Sequence, residues 1–137
     1  MSHSSQTRLL LAQSRPSIHA GSSEGLALAD AIARDLGTAV IVTMGGAGSA
    51  VATPTSNGRS IVSTVPAEVV DAVDTTGAGD TFVGALAARL ADQHGPIGHQ
   101  RIAEAMRMAA RAAATACTRV GAQTAMPTRN ELRSTPD

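Results

Sequence analysis

The sequence predicts an α/β fold, and three neighbouring features support this. Residues 23–36 repeat apolar side chains at helical spacing, and residues 38–43, TAVIVT, form a continuous β-branched run. Such runs are typical of strands buried on both faces of a sheet. Residues 44–48, MGGAG, follow directly, and glycines so closely spaced indicate a turn. The order helix, strand, glycine turn therefore predicts a central parallel strand around Val40.

The segment before this strand contains one predicted helix. Residues 1–22 are rich in Ser, His and Gln around the short run Leu9-Leu10-Leu11, and they show no firm periodicity, so we expect a poorly defined lead-in. The helix over residues 23–36 has Ser22 or Ser23 as its expected N-cap. Gly37 is its expected stop, because glycine readily ends a helix in the left-handed conformation.

A hairpin is predicted after the glycine turn. Residues 49–53 and 60–65 have the composition of short strands, and residues 54–59, with Asn57-Gly58 inside, are typical of the connection between them. Residues 69–73 could add a further extended segment. Two or three short strands beside one buried strand are too few for a self-sufficient sheet. The chain is therefore expected to be part of a larger fold or of an obligate assembly.

Helices are predicted for the rest of the chain. Apolar residues from Phe82 to Leu90 mark one face of a helix ending near residues 94–96, and residues 99–118 form a second helix dominated by alanine. Residues 128–131, TRNE, have the spacing of a capping box for a last short helix.

The composition excludes several classes of protein. The 137 residues carry 11 Arg, no Lys and 11 acidic residues, so the zero net charge argues against a nucleic-acid partner. Cys117 stands alone, which rules out an internal disulfide and a multi-cysteine zinc site. No apolar run is long enough to cross a membrane, and the first residues make a poor signal peptide. We therefore expect a soluble cytoplasmic protein, in which the four histidines occupy solvated or loop positions.

The segment VDTTGAGDTF, residues 73–82, brings acids and glycines together at a predicted helix start. Glycines there expose backbone N–H groups, and the helix dipole adds positive potential, which together favour an anion such as phosphate. Asp80 beside a bound phosphate could act as a general base toward a substrate hydroxyl. Taken alone, GAGD is more often only a tight turn, in which Asp80 merely suits the first helical turn.

Three segments together resemble the C-terminal half of the ribokinase-like, or PfkB, carbohydrate kinases. These are VTMGGAG at 42–48, VDTTGAGDTFVGAL at 73–86 and TRVGAQTAMP at 118–127. The resemblance covers roughly residues 23–133 and is strongest to ribokinases. It implies a three-layer α/β/α sandwich of which this chain has the C-terminal part, with residues 23–137 as the ATP-binding and catalytic portion. The implied reaction transfers the γ-phosphate of ATP to a sugar hydroxyl, with D-ribose the first expected substrate and D-ribose 5-phosphate the product.

The same resemblance assigns residues to roles. It implies that Asp80 is the catalytic base, contacting both substrate and nucleotide, and that the anion hole for the transferred phosphoryl group is formed by Gly77, Ala78 and Gly79. It also implies that the ATP site, to which Gly79 and Asp80 contribute, is lined by Thr43, Gly45 and Gly48.

Cations are implied as well. Mg²⁺ would arrive with ATP. The resemblance places a monovalent cation, K⁺, behind the anion hole. Its ligands would be the Asp74 carboxylate and four backbone carbonyls, those of Thr76, Ala116, Arg119 and Gly121. A hydroxyl ligand that ribokinases commonly add would fall at Ala125, which has none.

The sequence also departs from the family pattern. The sugar-binding N-terminal half and the N-x-x-E segment have no counterpart, and the polar side chain expected against adenine falls at Ala109 or Ala110. Two hypotheses follow. The chain is either part of a sugar kinase, working as a homodimer or with a partner that supplies the N-terminal half, or a non-catalytic remnant that serves as a nucleotide-binding or interaction module.

Overall fold

The computed structural model describes residues 8–13, 21–120, 127–128 and 130–131. Within these ranges the chain forms four strands, three α-helices and a short 3₁₀ helix at Gly45–Ala47. The strands are β1 (Leu9–Gln13), β2 (Ala39–Thr43), β3 (Ser49–Pro54) and β4 (Ser60–Val65). The helices are α1 (Ser22–Leu36), α2 (Ala78–Ala91) and α3 (His99–Cys117).

The strands make one mixed sheet in the order β1-β2-β3-β4. β1 runs parallel to β2, with Leu11 opposite Ile41, whereas β3 is antiparallel to both β2 and β4. The predicted parallel strand around Val40 is therefore confirmed as β2, and the predicted hairpin is confirmed as β3 and β4. Gly58 takes a φ of 76° in the hairpin turn, a conformation that glycine adopts without strain.

Helices cover both faces of the sheet. Successive side chains of a strand point to opposite faces, so Val40 and Val42 pack with Ala29 and Ala33 of α1 on one side. Ile41 of the same strand packs on the other side, in a cluster with the helices α2 and α3. The predicted three-layer α/β/α arrangement is confirmed. Residues of this second cluster include Val51, Phe82, Leu86, Ile102 and Met106.

Three sequence-based expectations about the N-terminal segment, the strands and the N-cap of α1 were wrong. The predicted lead-in contains the strand β1. The sequence did not reveal it because apolar and polar residues alternate only weakly in residues 9–13, and the strand forms by pairing with β2. Residues 69–73 join no strand. The N-cap of α1 is Gly21, without a side-chain cap hydrogen bond, rather than Ser22 or Ser23.

The C-terminal ends of α1 and α3 agree with expectation, and that of α2 does not. Gly37 ends α1 with a left-handed φ of 63°, as predicted, and α3 spans almost the predicted range. α2 stops at Ala91, before the predicted 94–96. No helix among the described residues is long and apolar enough to cross a membrane.

His99 connects α3 to the hairpin. Its Nδ1 lies 2.9 Å from the Thr53 hydroxyl and its Nε2 lies 2.7 Å from the Ser63 hydroxyl. Burial lowers the pKa of His99 below 6.5, because desolvation disfavours the charged ring. The expected solvated or loop role is therefore wrong for this histidine, since it lies in the first turn of α3 and bridges β3 and β4.

Candidate functional site

The N-terminus of α2 is open to a ligand. Gly77 precedes the helix with φ 81°, and no side chain caps this end. The Ala78 N–H donates to the Thr75 carbonyl at 3.2 Å, whereas the N–H groups of Gly79 and Asp80 donate to no acceptor within the described ranges. Uncompensated N–H groups at the positive end of a helix dipole attract anions. This end of α2 can therefore hold a phosphate.

The glycine turn after β2 is a second segment of the site whose backbone conformation requires glycine. Gly45 and Gly48 have φ values of 57° and 91°. The Met44 N–H donates to the Gly48 carbonyl at 2.8 Å and closes the turn. A Cβ on Gly48 would lie only 2.3 Å from the Val65 carbonyl oxygen, so glycine is needed there for close approach as well as for conformation.

A single cavity of about 460 Å³ connects the glycine turn with the start of α2. It lies at the edge of the sheet where β2 and β4 end and β3 begins. Of the residues predicted for the ATP site and the anion hole, five line it, while Gly77 and Asp80 do not. Those five are Thr43, Gly45, Gly48, Ala78 and Gly79. Two glycine-rich segments distant in sequence therefore share one cavity.

Asp80 lies one residue beyond the cavity lining. It is the third residue of α2, and its side chain is exposed. Its neighbour Gly79 lines the cavity, and a Cβ built on Gly79 would meet no atom within 4 Å. The carboxylate is thus accessible to a second molecule that approaches a ligand bound at the start of α2.

Asp74 is held close to the C-terminal end of α3. The N–H groups of Val73 and Asp74 both donate to the Cys117 carbonyl, at 2.8 and 3.1 Å. The Asp74 carboxylate in turn accepts the Thr76 N–H at 2.9 Å, which shapes the loop before α2. These bonds bring Asp74 and Thr76 near the end of the helix that carries Ala116.

The predicted cation ligands are brought together in part. The Ala116 carbonyl accepts the Arg119 N–H at 3.2 Å, so these two residues share one turn beside the Asp74 loop. A carbonyl oxygen has two lone pairs and can accept a hydrogen bond while it contacts a cation. Gly121 and Ala125 lie outside the described residues. No group of three or more His, Cys, Asp or Glu side chains in the described ranges could hold a metal ion.

The predicted capping box at Thr128 is present and connects to this region. The Glu131 carboxylate accepts the Thr128 N–H at 2.7 Å, and the Arg119 guanidinium lies 2.9 Å from the same carboxylate. The Thr128 N–H, the Arg119 guanidinium and the Thr128 hydroxyl lower the pKa of Glu131 to about 2. The Arg119 side chain therefore ties the segment after α3 to the end of that helix.

Sequence reasoning missed part of the cavity wall. One face of α3 contributes a row of small residues at helical spacing, and the loop after β4 contributes Glu68. Ala110 belongs to this row, while Ala109 is fully buried in the core, so only Ala110 could contact a ligand. The helical periodicity of small residues was a usable signal, but nothing in the sequence marked Glu68. The small residues are Ala110, Ala113, Ala114 and Cys117.

Comparison with solved structures finds the same fold in several kinases. A ribokinase from Thermotoga maritima is 28% identical, with a TM-score of 0.66 over 92% of this chain and 41% of its own. An aminoimidazole riboside kinase from Salmonella enterica, solved with aminoimidazole riboside and an ATP analog, is 39% identical. Its TM-score is 0.62, over 74% of this chain and 32% of its own.

Curated sequences agree with the structures. A Bacillus subtilis ribokinase is 47% identical over 68 residues, which are 50% of this chain and 21% of that enzyme. A Klebsiella pneumoniae fructokinase is 42% identical over 96 residues, 70% of this chain and 30% of its own. The chain thus spans less than half the length of these relatives.

A family model agrees with these similarities. The model described as pfkB family carbohydrate kinase matches residues 16–129, which include the glycine turn, the loop before α2 and all three helices. The match extends over most of the chain, and the described part has the corresponding three-layer fold. The chain belongs to the pfkB family of carbohydrate kinases.

Proposed function

We propose that this chain forms the ATP-binding and catalytic portion of a sugar kinase that transfers the γ-phosphate of ATP to a hydroxyl of D-ribose. The observation that carries the proposal is the shared cavity, in which the glycine turn after β2 meets the uncapped start of α2. A volume of about 460 Å³ falls within the range of small-molecule sites. Backbone N–H groups at one end of the cavity suit phosphates.

In the proposed reaction each protein group has a separate task. The anion hole of Gly77, Ala78 and Gly79 would surround the transferred phosphoryl group. Because the Ala78 N–H already donates to Thr75, the N–H groups of Gly79 and Asp80 would be the donors that stabilise the negative charge on its oxygens. The Asp80 carboxylate would accept the proton of the attacking sugar hydroxyl, which becomes the better nucleophile as the proton leaves. Gly45, which has open space at its Cβ position, would let the nucleotide approach the backbone closely, whereas Gly48 lets the backbone of residues 65–67 pack against the turn.

Cations fit this arrangement in different ways. Mg²⁺ would neutralise phosphate charge, and it needs few protein ligands because it keeps waters and binds phosphate oxygens. The Asp74 carboxylate and the carbonyls of Thr76, Ala116, Arg119 and Gly121 are the ligands proposed for K⁺. A related Vibrio cholerae fructokinase has been solved with fructose, ADP and calcium, and a double mutant of it with fructose, ADP and potassium.

The acceptor sugar is proposed from similarity. Ribokinases and fructokinases both match the chain, at 47% and 42% identity for the two named above. D-ribose is proposed as the sugar because the segments at 42–48, 73–86 and 118–127 resemble those of ribokinases. The chain would act in the cytoplasm, where ATP is available, as a homodimer or with a partner that supplies the sugar-binding half.

The test combines turnover with binding. Purified chain is incubated with ATP, Mg²⁺ and K⁺ and with D-ribose or D-fructose, and sugar phosphate is measured together with ATP binding by calorimetry. Formation of D-ribose 5-phosphate supports the proposal, and a clear preference for fructose would overturn the choice of sugar. Absence of both turnover and ATP binding would overturn the kinase function for this chain.

One outcome would favour the alternative function. ATP binding without turnover, also in the presence of a separately supplied N-terminal half from a relative, would identify the chain as a nucleotide-binding module. The exposed position of Asp80 favours the kinase, because a base must be reachable by the sugar hydroxyl.

A further inference from the structure

Glu68 gives the cavity its one charged lining side chain within the described part of the chain. It lies in the loop after β4, and the neighbouring loop residues Pro66 and Ala67 approach Gly48 so closely that a Cβ there would meet both. Glu68 is therefore fixed beside the glycine turn by the backbone on its N-terminal side. Its side chain is 50% exposed, so it lies where the cavity opens to solvent.

The carboxylate of Glu68 also faces α3. Its Oε1 lies 3.7 Å from the Arg111 Nε, and Arg111 follows the cavity-lining Ala110 directly. This distance is too long for a hydrogen bond, so the ion pair orients the carboxylate and leaves its lone pairs available to a ligand. Glu68 thus stands between the glycine turn and the row of small residues on α3.

This position restricts what Glu68 can contact. A carboxylate repels phosphate, so it must face an uncharged part of a bound nucleotide. The wall formed by Ala110, Ala113 and Ala114 offers a flat apolar surface for the face of a base. The edge of adenine carries an acceptor ring nitrogen beside its amino group. The lone pair of this nitrogen and a carboxylate would repel each other. The ribose 2′- and 3′-hydroxyls offer two adjacent donors, matching the two carboxylate oxygens.

We propose that Glu68 is a specificity-determining residue that binds the 2′- and 3′-hydroxyls of the nucleotide ribose. This inference rests on the proposed ATP site and adds a residue to it. Hydrogen bonds to a charged group strengthen binding by roughly tenfold or more each. The chain should therefore prefer ATP over 2′-deoxy-ATP and 3′-deoxy-ATP by about tenfold.

The experiment compares nucleotide dissociation constants by calorimetry for the full chain and three variants. E68A should bind ATP and both deoxy nucleotides alike, whereas E68Q, which keeps one acceptor oxygen, should retain part of the preference. R111Q is the matched control: it removes the ion pair but no acceptor, so we expect the preference to weaken without disappearing. The readout is the ratio of the dissociation constants of each deoxy nucleotide and ATP. Loss of the Glu68 charge changes the electrostatic repulsion of all the triphosphates equally, so this ratio is unaffected by that change.

Each remaining outcome is decisive. Equal affinity of the unaltered chain for ATP and both deoxy nucleotides overturns the assignment, as does a preference that persists in E68A. A change in the ratio of ATP to GTP affinity in E68A, with the deoxy ratios unchanged, would show that Glu68 contacts the base instead. Binding of none of the nucleotides would overturn the proposed function itself, and this inference with it.

Discussion

At the scale of single residues, the proposed chemistry depends most directly on Asp80. Asp80→Asn keeps the size of the side chain and removes its ability to accept a proton. In the catalytically complete enzyme, turnover should fall by about 100-fold or more, as is typical for loss of a general base. ATP binding should change little, because the proposed phosphate contacts are backbone N–H groups. Steady-state kinetics and calorimetry on the same variant check both parts, and unaltered turnover would refute the role of Asp80.

Two glycines of the cavity should respond differently to an added side chain. Gly79 has open space around its Cβ position, so Gly79→Val should fold normally and obstruct phosphate binding. At Gly48 a Cβ would meet the backbone of residues 65–67, and its φ of 91° disfavours other residues. Gly48→Ala should therefore lower the free energy of unfolding by about 2 kcal/mol or more.

Denaturant unfolding and nucleotide binding together test this pair. The expected pattern is normal stability with lost ATP binding for the Gly79 variant, and lost stability for the Gly48 variant. A Gly79 variant that binds ATP as tightly as the unaltered chain would contradict the assignment of phosphate to the start of α2.

At the scale of elements, His99 is the polar link between α3 and the hairpin, and it predicts a pH dependence. Its pKa is lowered in the folded chain relative to 6.5, so the unfolded chain binds the proton more readily. The stabilising contribution of neutral His99 is thus complete above pH 6.5 and is lost as pH falls through 6.5 toward the lowered value. Denaturant unfolding between pH 7.5 and 5.5 should show decreasing stability.

The matched variants separate His99 from the other histidines. His99→Asn should lower stability at pH 7.5, because the ring contacts Thr53 and Ser63, and should flatten the pH dependence. His94→Asn should leave the pH dependence in place, since the hydrogen bond from Arg101 reaches the His94 carbonyl and not its ring. An unchanged pH dependence in His99→Asn would show that another group titrates.

At the scale of the whole molecule, the candidate site joins the sheet edge to both helices on one face. A ligand that binds only when these parts are assembled stabilises the folded chain through mass action. ATP at about 100 times its Kd should therefore raise the free energy of unfolding by about 2.7 kcal/mol. Thermal unfolding with and without ATP measures this effect, and Gly79→Val should abolish it. An unchanged unfolding midpoint at saturating ATP would contradict a site formed by the folded chain.

The sequence by itself determined those features that depend on local patterns. The β-branched run of β2, the hairpin signal around Gly58, the helical spacing of α1 and α2 and the alanine content of α3 predicted the elements. The GAGD segment predicted exposed N–H groups at the start of α2. Glycine at positive φ and apolar periodicity reflect local sterics and one-sided burial, which a sequence displays directly.

Only the tertiary structure revealed β1, the contacts of His99 and the place of Glu68 in the site. β1 is ordered by pairing with β2, His99 acquires its partners from a hairpin 36 and 46 residues away, and Glu68 becomes part of the site only because its loop packs against Gly48. Each of these features arises from contacts between residues distant along the chain. Such contacts leave no periodic or compositional trace, so they appear only when the three layers are assembled.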